Sequence, residues 1–321
     1  MDRERAGRRL SPRAWLTLRR VVQILAFMAF LVLFVWSRRG GWPAELVNAP
    51  MRLDPLAKLA HLLASRTFLA GSALALIIVA LTLLLGRAWC GWLCPLGTLL
   101  DWVDLRRWRG KQPRVPEGWR AVKVGLLATI LVAAALRNLT LMVLDPLTIL
   151  FRTLSTAVWP AVDQIVTAVE SGLYGVPTLQ RAVSAFDGLV RPVVLPYDPV
   201  FYRYAFVYVG FFVGIVALNA LAPRFWCRYL CPLGGLLGLL SKLGLVQREV
   251  SASCTDCGAC ARACPTGTIN PHADYASDPA ECTMCMACSS TCPVDAVTFP
   301  ARARAPRLES YDPDRRHVVA A

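Results

Sequence analysis

The chain has 321 residues, of which 56% are hydrophobic, and a mean hydropathy of +0.47, which excludes an ordinary soluble enzyme and predicts an α-helical multi-pass membrane protein. Its formal net charge of +14 is expected from arginines that flank apolar segments, and because no RNA- or DNA-binding motif accompanies it, we expect no nucleic-acid partner. All twelve cysteines fall in clusters of Cys-x2-Cys or Cys-x3-Cys spacing, which predicts metal or redox chemistry.

Four apolar segments are the candidate membrane spans. A basic tail, residues 1–20, leads into the uncharged run 21–36, which we interpret as an uncleaved anchor because no small-residue cleavage site follows it. The uncharged runs 67–86 and 204–223 are each 20 residues long, enough to cross a hydrocarbon core of about 30 Å. The run 124–136 is shorter and spans only if its flanking residues contribute.

Basic residues predict the orientation of these spans. The tail carries seven arginines and the loop 87–123 carries eight basic residues, whereas the longer segment 137–203 carries five. Positive residues favour the inner side, so we expect a bacterial inner (plasma) membrane protein with its C-terminal part in the cytoplasm. A fifth span within 153–169 would reverse this result, but Asp163 and the flanking Glu170 favour an amphipathic or re-entrant segment.

An internal repeat divides the predicted membrane domain, residues 21–248, into halves 21–110 and 119–248. Leu-Asp-Pro-Leu at 53–56 recurs at 144–147, and Trp-Cys-Gly-Trp-Leu-Cys-Pro-Leu-Gly at 89–97 recurs as Trp-Cys-Arg-Tyr-Leu-Cys-Pro-Leu-Gly at 226–234. The same order in both halves predicts parallel repeats.

Each motif of the repeat carries its own expectations. Asp54 and Asp145 stand before proline, which favours helix N-caps over proton acceptors. We expect these aspartates on the outer side, about 30 Å from the inner-side clusters, and the amphipathic stretches 96–108 and 233–246 along the membrane interface.

The repeated Cys-x3-Cys-Pro motifs contribute four cysteines, Cys90, Cys94, Cys227 and Cys231. On a helix the two sulfurs of each motif would lie one turn apart on the same face, and the parallel repeat would bring the two pairs together. Three interpretations stay open: an additional metal or cluster site, a pair of redox-active dithiols, or small hydrophobic residues that end each span.

Residues 249–300 contain two copies of one cysteine run, each followed by proline, with the spacing of bacterial two-cluster ferredoxins. In that arrangement three thiolates of each run bind one [4Fe-4S] cluster and the fourth crosses to the other. The predicted ligands are Cys254, Cys257, Cys260 and Cys292 for the first cluster, and Cys282, Cys285, Cys288 and Cys264 for the second. We expect a small α+β ferredoxin domain in which Gly258, Ala259 and Ala287 let the backbone approach the clusters. A disordered tail, residues 301–321, should follow it.

Two Cys-x3-Cys-Pro motifs at span ends, followed by a two-cluster ferredoxin segment, resemble the NapH-type membrane quinol dehydrogenase subunits, the C-terminal half of NosR and the CcoG-type polyferredoxins. The length of the chain is more similar to NapH and MauN than to NosR. The resemblance implies electron transfer between quinol and another iron-sulfur or cytochrome redox protein. The CcoG likeness leaves open a reductase that acts in metalloenzyme assembly, and a redox sensor is a further alternative.

Two further expectations concern cofactors. The chain has three histidines, His61, His272 and His317, and only His61 is near a span, so we expect no haem b, which needs two axial ligands. Because iron-sulfur clusters must receive the electrons directly, we expect the quinol near Trp89, Trp92 and Trp226 at the inner ends of the spans. The catalytic residues stay unknown.

Overall fold

The computed structural model describes residues 12–39, 43–67, 73–103, 117–191 and 202–301. Most of the predicted disordered tail, and with it His317, lies outside the described residues, as do residues 1–11 of the basic tail.

The described part of the chain is mostly helical up to residue 241. In chain order the α-helices are α1 Pro12–Arg39, α2 Ala44–Val47, α3 Ala49–Arg52, α4 Pro55–Ser65, α5 Ala73–Leu85, α6 Ala88–Trp92, α7 Pro95–Trp102, α8 Arg120–Ala135, α9 Pro146–Thr153, α10 Trp159–Tyr174, α11 Gln180–Val190, α12 Ala205–Leu218 and α13 Pro232–Ser241. Short 3-10 turns cover Glu117–Trp119 and Thr140–Leu144, and π turns cover Leu154–Val158 and Trp226–Leu230.

A helix lies at each of the four predicted spans, but four spans are not confirmed. Within the described ranges only α1, over Arg13–Ser37, is long and apolar enough to cross a membrane by length and composition. Helices α5, α8 and α12 have 13, 16 and 14 residues, which at about 1.5 Å per residue falls short of a hydrocarbon core of about 30 Å. Large apolar side chains nevertheless point outward from all four helices, among them Leu25, Leu76, Val132 and Phe206.

Short helices of each repeat pack against short helices of the other repeat. Helix α4, which follows the first Leu-Asp-Pro-Leu, packs on α13 of the second repeat, and α9, which follows the second, packs on α7 of the first. Leu56, Ile149, Leu96 and Leu233 meet in one buried core. Two expectations are therefore wrong: the Leu-Asp-Pro-Leu motifs are not a membrane thickness away from the cysteine motifs, and α7 and α13 do not lie along the interface. These helices are short and carry apolar and small residues on most sides, so they are buried on several faces.

The two aspartates of this motif are N-caps, as predicted. The Asp54 carboxylate accepts from the backbone N–H groups of Leu56 and Ala57 at 2.8 and 3.3 Å, and Asp145 accepts from that of Thr148 at 2.9 Å. Both carboxyl groups are buried, and they lie within hydrogen-bonding reach of each other where the repeats meet. Two carboxylates in such contact cannot both be charged without a large electrostatic penalty, so we infer that the pair holds a proton.

The segment 153–169 is helical throughout. It continues from α9 through the π turn into α10, with Asp163 buried and apolar side chains such as Ile165 and Val169 exposed. Arg191, at the end of α11, pairs with Asp163 at 3.5 Å and with Glu170 at 2.6 Å. The segment is therefore amphipathic, with its charged residues turned toward α11.

The C-terminal domain is the predicted small α+β unit. It consists of β1 Glu249–Val250, α14 Ala259–Ala263, β2 Ile269–Asn270, β3 Ala276–Ser277, α15 Ala287–Ser290 and β4 Val297–Thr298. Strand β1 pairs antiparallel with β4, in the register Glu249 to Thr298, and β2 pairs antiparallel with β3, in the register Ile269 to Ser277. The domain therefore has two halves, β1–α14–β2 and β3–α15–β4, with one cysteine run in each.

Candidate iron-sulfur sites

The first predicted ligand set surrounds one cavity. Cys254, Cys257, Cys260 and Cys292 all line a space of about 320 Å³, a volume that includes its open mouth. Cys292 belongs to the second run, so the crossover expected from the spacing is present in the fold. That these four residues are cluster ligands stays a prediction.

The second set is also brought together. Cys282, Cys285 and Cys288 lie within electrostatic range of one another and of Cys264, the last cysteine of the first run. Burial raises the pKa of Cys282 to about 12 and that of Cys288 to about 11. Without metal these thiols hold their protons at neutral pH, so cluster binding must release protons and should weaken as the pH falls.

The backbone around each middle cysteine has the same unusual shape. Asp256 and Gly258, on either side of Cys257, have φ values of 52° and 69°, and Met284 and Met286, on either side of Cys285, have 50° and 60°. Left-handed residues next to right-handed ones turn successive N–H groups toward one concave face, which suits the anionic sulfurs of a cluster. Three of the four are not glycine, so the close approach depends on this conformation as well as on the small residues that we expected.

Arg248 lies between the two sets. Its guanidinium is within electrostatic range of Cys260 and of Cys288, and it donates to the carbonyl oxygen of Tyr275 at 2.6 Å. The Nε and Nη2 atoms are buried and have no oxygen or nitrogen acceptor among the described residues. Buried donors normally have acceptors, and cluster sulfurs would supply them. The site therefore fits two [4Fe-4S] clusters, and sequence reasoning missed Arg248 because it lies outside both cysteine runs.

The loop that carries the second set is docked on the helical bundle. Glu281, one residue before Cys282, pairs with Lys123 and with Arg87, and Arg87 also donates to the carbonyl oxygen of Ala280 at 2.6 Å. The indole N–H of Trp92 donates to the carbonyl oxygen of Met284 at 2.9 Å. All of these groups are at least partly buried, so the ferredoxin domain is fixed against the bundle.

The bundle has a cysteine set of its own at this end. Cys90, Cys94, Cys227 and Cys231 are 8%, 5%, 8% and 4% exposed and lie within electrostatic range of one another. We call these four residues the bundle cysteines. In the described part of the chain, no group of three or more His, Cys, Asp or Glu side chains is close enough to hold a single metal ion.

The two cysteines of each motif do not share a continuous helix, so the one-turn spacing that a helix would give their sulfurs does not apply. Cys90 lies in α6 and Cys94 is the N-cap of α7, while Cys227 lies in a π turn and Cys231 is the N-cap of α13. The proline after the second cysteine starts a new helix, which bends the chain between the two sulfurs.

Two buried arginines accompany these motifs and were missed at the sequence level. Arg87 stands three residues before Cys90, and Arg224 stands three residues before Cys227, so the repeat extends to Arg-x-Trp-Cys-x-x-Leu-Cys-Pro-Leu-Gly. Each side chain is 1% exposed. An arginine at the same position of both repeats is the sequence signal that could have identified these two residues.

The remaining candidate residues occupy different surroundings. Trp89 and Trp226 are buried in the core that contains the bundle cysteines. The binding of quinol near these residues stays a prediction. His61 lies beside the Ser65 hydroxyl on α4, and His272 is exposed on the ferredoxin domain.

Comparisons with known proteins agree with this architecture. A family described as "4Fe-4S binding domain" matches residues 67–115 and 204–251, and one described as "4Fe-4S dicluster domain" matches residues 253–296. The methylamine utilization ferredoxin-type protein MauN of Paracoccus denitrificans is 28% identical over 277 residues, which cover 82% of this chain and 81% of that protein. MauN of Methylorubrum extorquens is 27% identical, with 78% and 74% covered. The ferredoxin-type protein NapH of Escherichia coli is 27% identical, with 78% and 75% covered.

No solved structure matches the chain. The dicluster segment, the repeated 4Fe-4S segments and relatives that cover most of the chain all indicate electron transfer through iron-sulfur clusters. Over most of its length the chain is similar to the ferredoxin-type proteins MauN and NapH.

Proposed function

We propose that the protein is a multi-pass subunit of the bacterial inner membrane that transfers electrons between quinol and a redox partner through two [4Fe-4S] clusters. This is the role of a quinol dehydrogenase component. The partner is another iron-sulfur or cytochrome protein.

The surface of the bundle supports insertion into a membrane. Exposed apolar side chains follow α1, α5, α8, α10 and α12, among them Ile165 and Phe206. A soluble protein rarely exposes large apolar side chains along so many helices, whereas a lipid bilayer solvates them well. The long helix α1 supplies the anchor.

The position of the ferredoxin domain supports its cytoplasmic location. The first turns of α1 lie at the end of the bundle where this domain docks: the rings of Trp15 and Trp92 are 6.2 Å apart, and Arg19 donates to the carbonyl oxygen of Gly91 at 3.1 Å. Helix α1 also packs against α15 of the ferredoxin domain. Arg13, Arg19 and Arg20 of the basic tail lie in these first turns of α1, and the positive-inside rule assigns such a basic end to the cytoplasm.

The docking of the loop with the second cysteine set on the bundle is the observation that supports the proposal most directly. Quinol is a membrane-dissolved carrier of two electrons and two protons, and each cluster accepts one electron at a time. Arg87, Lys123 and Trp92 hold the loop of the second cysteine set against the bundle, so a carrier dissolved in the membrane and a cluster in the ferredoxin domain can approach closely. A loosely tethered ferredoxin would not need these buried contacts.

Anaerobic reduction tests the proposal. The full-length protein in lipid nanodiscs is mixed with a reduced, soluble quinol analogue, and the visible absorbance of the clusters is followed. We expect the absorbance to bleach. Dithionite is the control, because it reduces clusters without a quinol site. Bleaching by dithionite but not by quinol, over a range of quinol-to-quinone ratios, would refute quinol as the donor.

A further inference from the structure

We propose that the bundle cysteines Cys90, Cys94, Cys227 and Cys231 bind a third [4Fe-4S] cluster, shared between the two repeats. The bundle cysteines would bind this cluster whether or not quinol is the electron donor.

Each repeat supplies half of the site. The two segments that match the 4Fe-4S binding description, residues 67–115 and 204–251, contain two cysteines each. A cubane takes four thiolates, so neither segment completes a site alone. The fold brings the two pairs into one buried group where the repeats pack together. The shared site therefore explains why both halves keep the same pair.

The alternatives suit this environment less well. A redox-active dithiol must be reached by a partner thiol, and all four bundle cysteines are at least 92% buried. A zinc ion needs four sulfurs at about 2.3 Å from one centre. Among the described residues, no group of three or more His, Cys, Asp or Glu side chains is close enough to hold one ion. A cubane holds its thiolates on four different irons and so accepts a wider spacing.

Charge is the second independent observation. Arg87 and Lys123 share one carboxylate, that of Glu281, and Arg19 and Arg224 share one carboxylate, that of Asp101. Each group carries one more positive than negative charge, and the first is nearly completely buried. Arg87 is within electrostatic range of Cys90, Cys227 and Cys231.

The second group contacts the same site. Arg224 is within electrostatic range of Cys94 and Cys227, and it donates to the carbonyl oxygen of Cys90 at 3.1 Å. Without an anion at the site, each group keeps one positive charge more than its carboxylate balances, and such a charge is costly where it is buried. An oxidised [4Fe-4S] cluster with four thiolates carries two negative charges and balances them; its binding releases the four thiol protons.

Two buried N–H groups without acceptors also favour a cluster at this site. The indole nitrogens of Trp89 and Trp226 are buried and have no hydrogen-bond partner among the residues that the structure describes. They are equivalent in the repeat, and each tryptophan directly precedes a bundle cysteine. Paired orphan donors beside thiolates are expected where cluster sulfurs accept the hydrogen bonds.

The site adjoins the ferredoxin domain. Arg224, which contacts Cys90, is also within electrostatic range of Cys285 in the second cysteine set. Gly91, the residue after Cys90, lies against the carbonyl oxygen of Thr283. A cluster on the bundle cysteines would therefore neighbour the second cluster.

Composition tests the inference without any activity measurement. Anaerobically purified full-length protein should contain about twelve irons and twelve acid-labile sulfides per chain, where two clusters give about eight. Cys90→Ser and Cys231→Ser should each lose about a third of the iron and keep the electron paramagnetic resonance signals of the two ferredoxin clusters. Cys260→Ser is the matched control, because it should lose a similar amount of iron together with one ferredoxin signal.

Two results would overturn the inference. One is a wild-type protein that contains about eight irons and whose Mössbauer spectrum shows the iron of two cubanes only. The other is a Cys90→Ser protein with wild-type iron content. If the variants do not fold, the wild-type iron count and spectrum decide the question alone.

Discussion

Gly91 is the position where the docking of the ferredoxin domain can be tested most sharply. A Cβ added there would lie 2.2 Å from the backbone oxygen of Thr283, whereas ordinary contacts begin at 3.4 Å, so Gly91→Ala requires the loop to move by about 1.2 Å. Overpacking of this kind costs about 1–3 kcal/mol, and the displaced loop also strains the hydrogen bond from Trp92. A cost of 1.4 kcal/mol would raise the undocked fraction about tenfold.

Hydrogen exchange measures this undocking. The backbone N–H groups of Leu245 and Val246 donate to the carbonyl oxygens of Leu83 and Leu84 at 2.8 and 3.1 Å, and they should be exposed when the domain leaves the bundle. We expect faster exchange of this segment in Gly91→Ala, with both ferredoxin clusters retained.

A glycine in α8 provides the matched control. A Cβ on Gly125 would meet nothing within 4 Å, so Gly125→Ala should leave exchange unchanged or slower, since alanine favours a helix by about 1 kcal/mol. If Gly91→Ala exchanges no faster than Gly125→Ala, the close packing of the loop on the bundle is not what holds the domain in place.

Three other predictions follow from the same structure. Cys260→Ser should remove one ferredoxin cluster and Cys288→Ser the other, each leaving the partner signal in electron paramagnetic resonance; loss of both signals in both variants would contradict two separate ligand sets. A reporter fused after Pro300 should be cytoplasmic and one inserted within 171–190 external, and the opposite labelling would mean an odd number of spans. Asp54→Ala should lower the free energy of unfolding by about 0.5–2 kcal/mol through loss of the N-cap, whereas Asp54→Asn, which keeps an acceptor, should cost less; equal thermal stability of both variants would argue against the cap.

The sequence alone predicted the parts of this protein that depend on short-range geometry. Three cysteines of a cluster site must lie on one short loop, so their spacing in the chain identifies them, and the fold does bring each run together with the last cysteine of the other. The N-caps at Asp54 and Asp145 were equally predictable, because a cap depends on a carboxylate followed within three residues by free backbone N–H groups.

Tertiary structure decided how distant parts of the chain meet. Apolar runs predict helices and burial, but they do not say which helix covers which, so the packing of α4 on α13 and of α9 on α7 overturned the expected separation of the motifs. One of the two differences inside the cysteine motif, Gly91 against Arg228, also has its reason only in the fold. Gly91 leaves room for Thr283, and the Arg228 guanidinium lies against Gly267 in the other half of the ferredoxin domain. A single domain docked on two equivalent motifs must contact them differently, and only the docked structure shows which residue each contact requires.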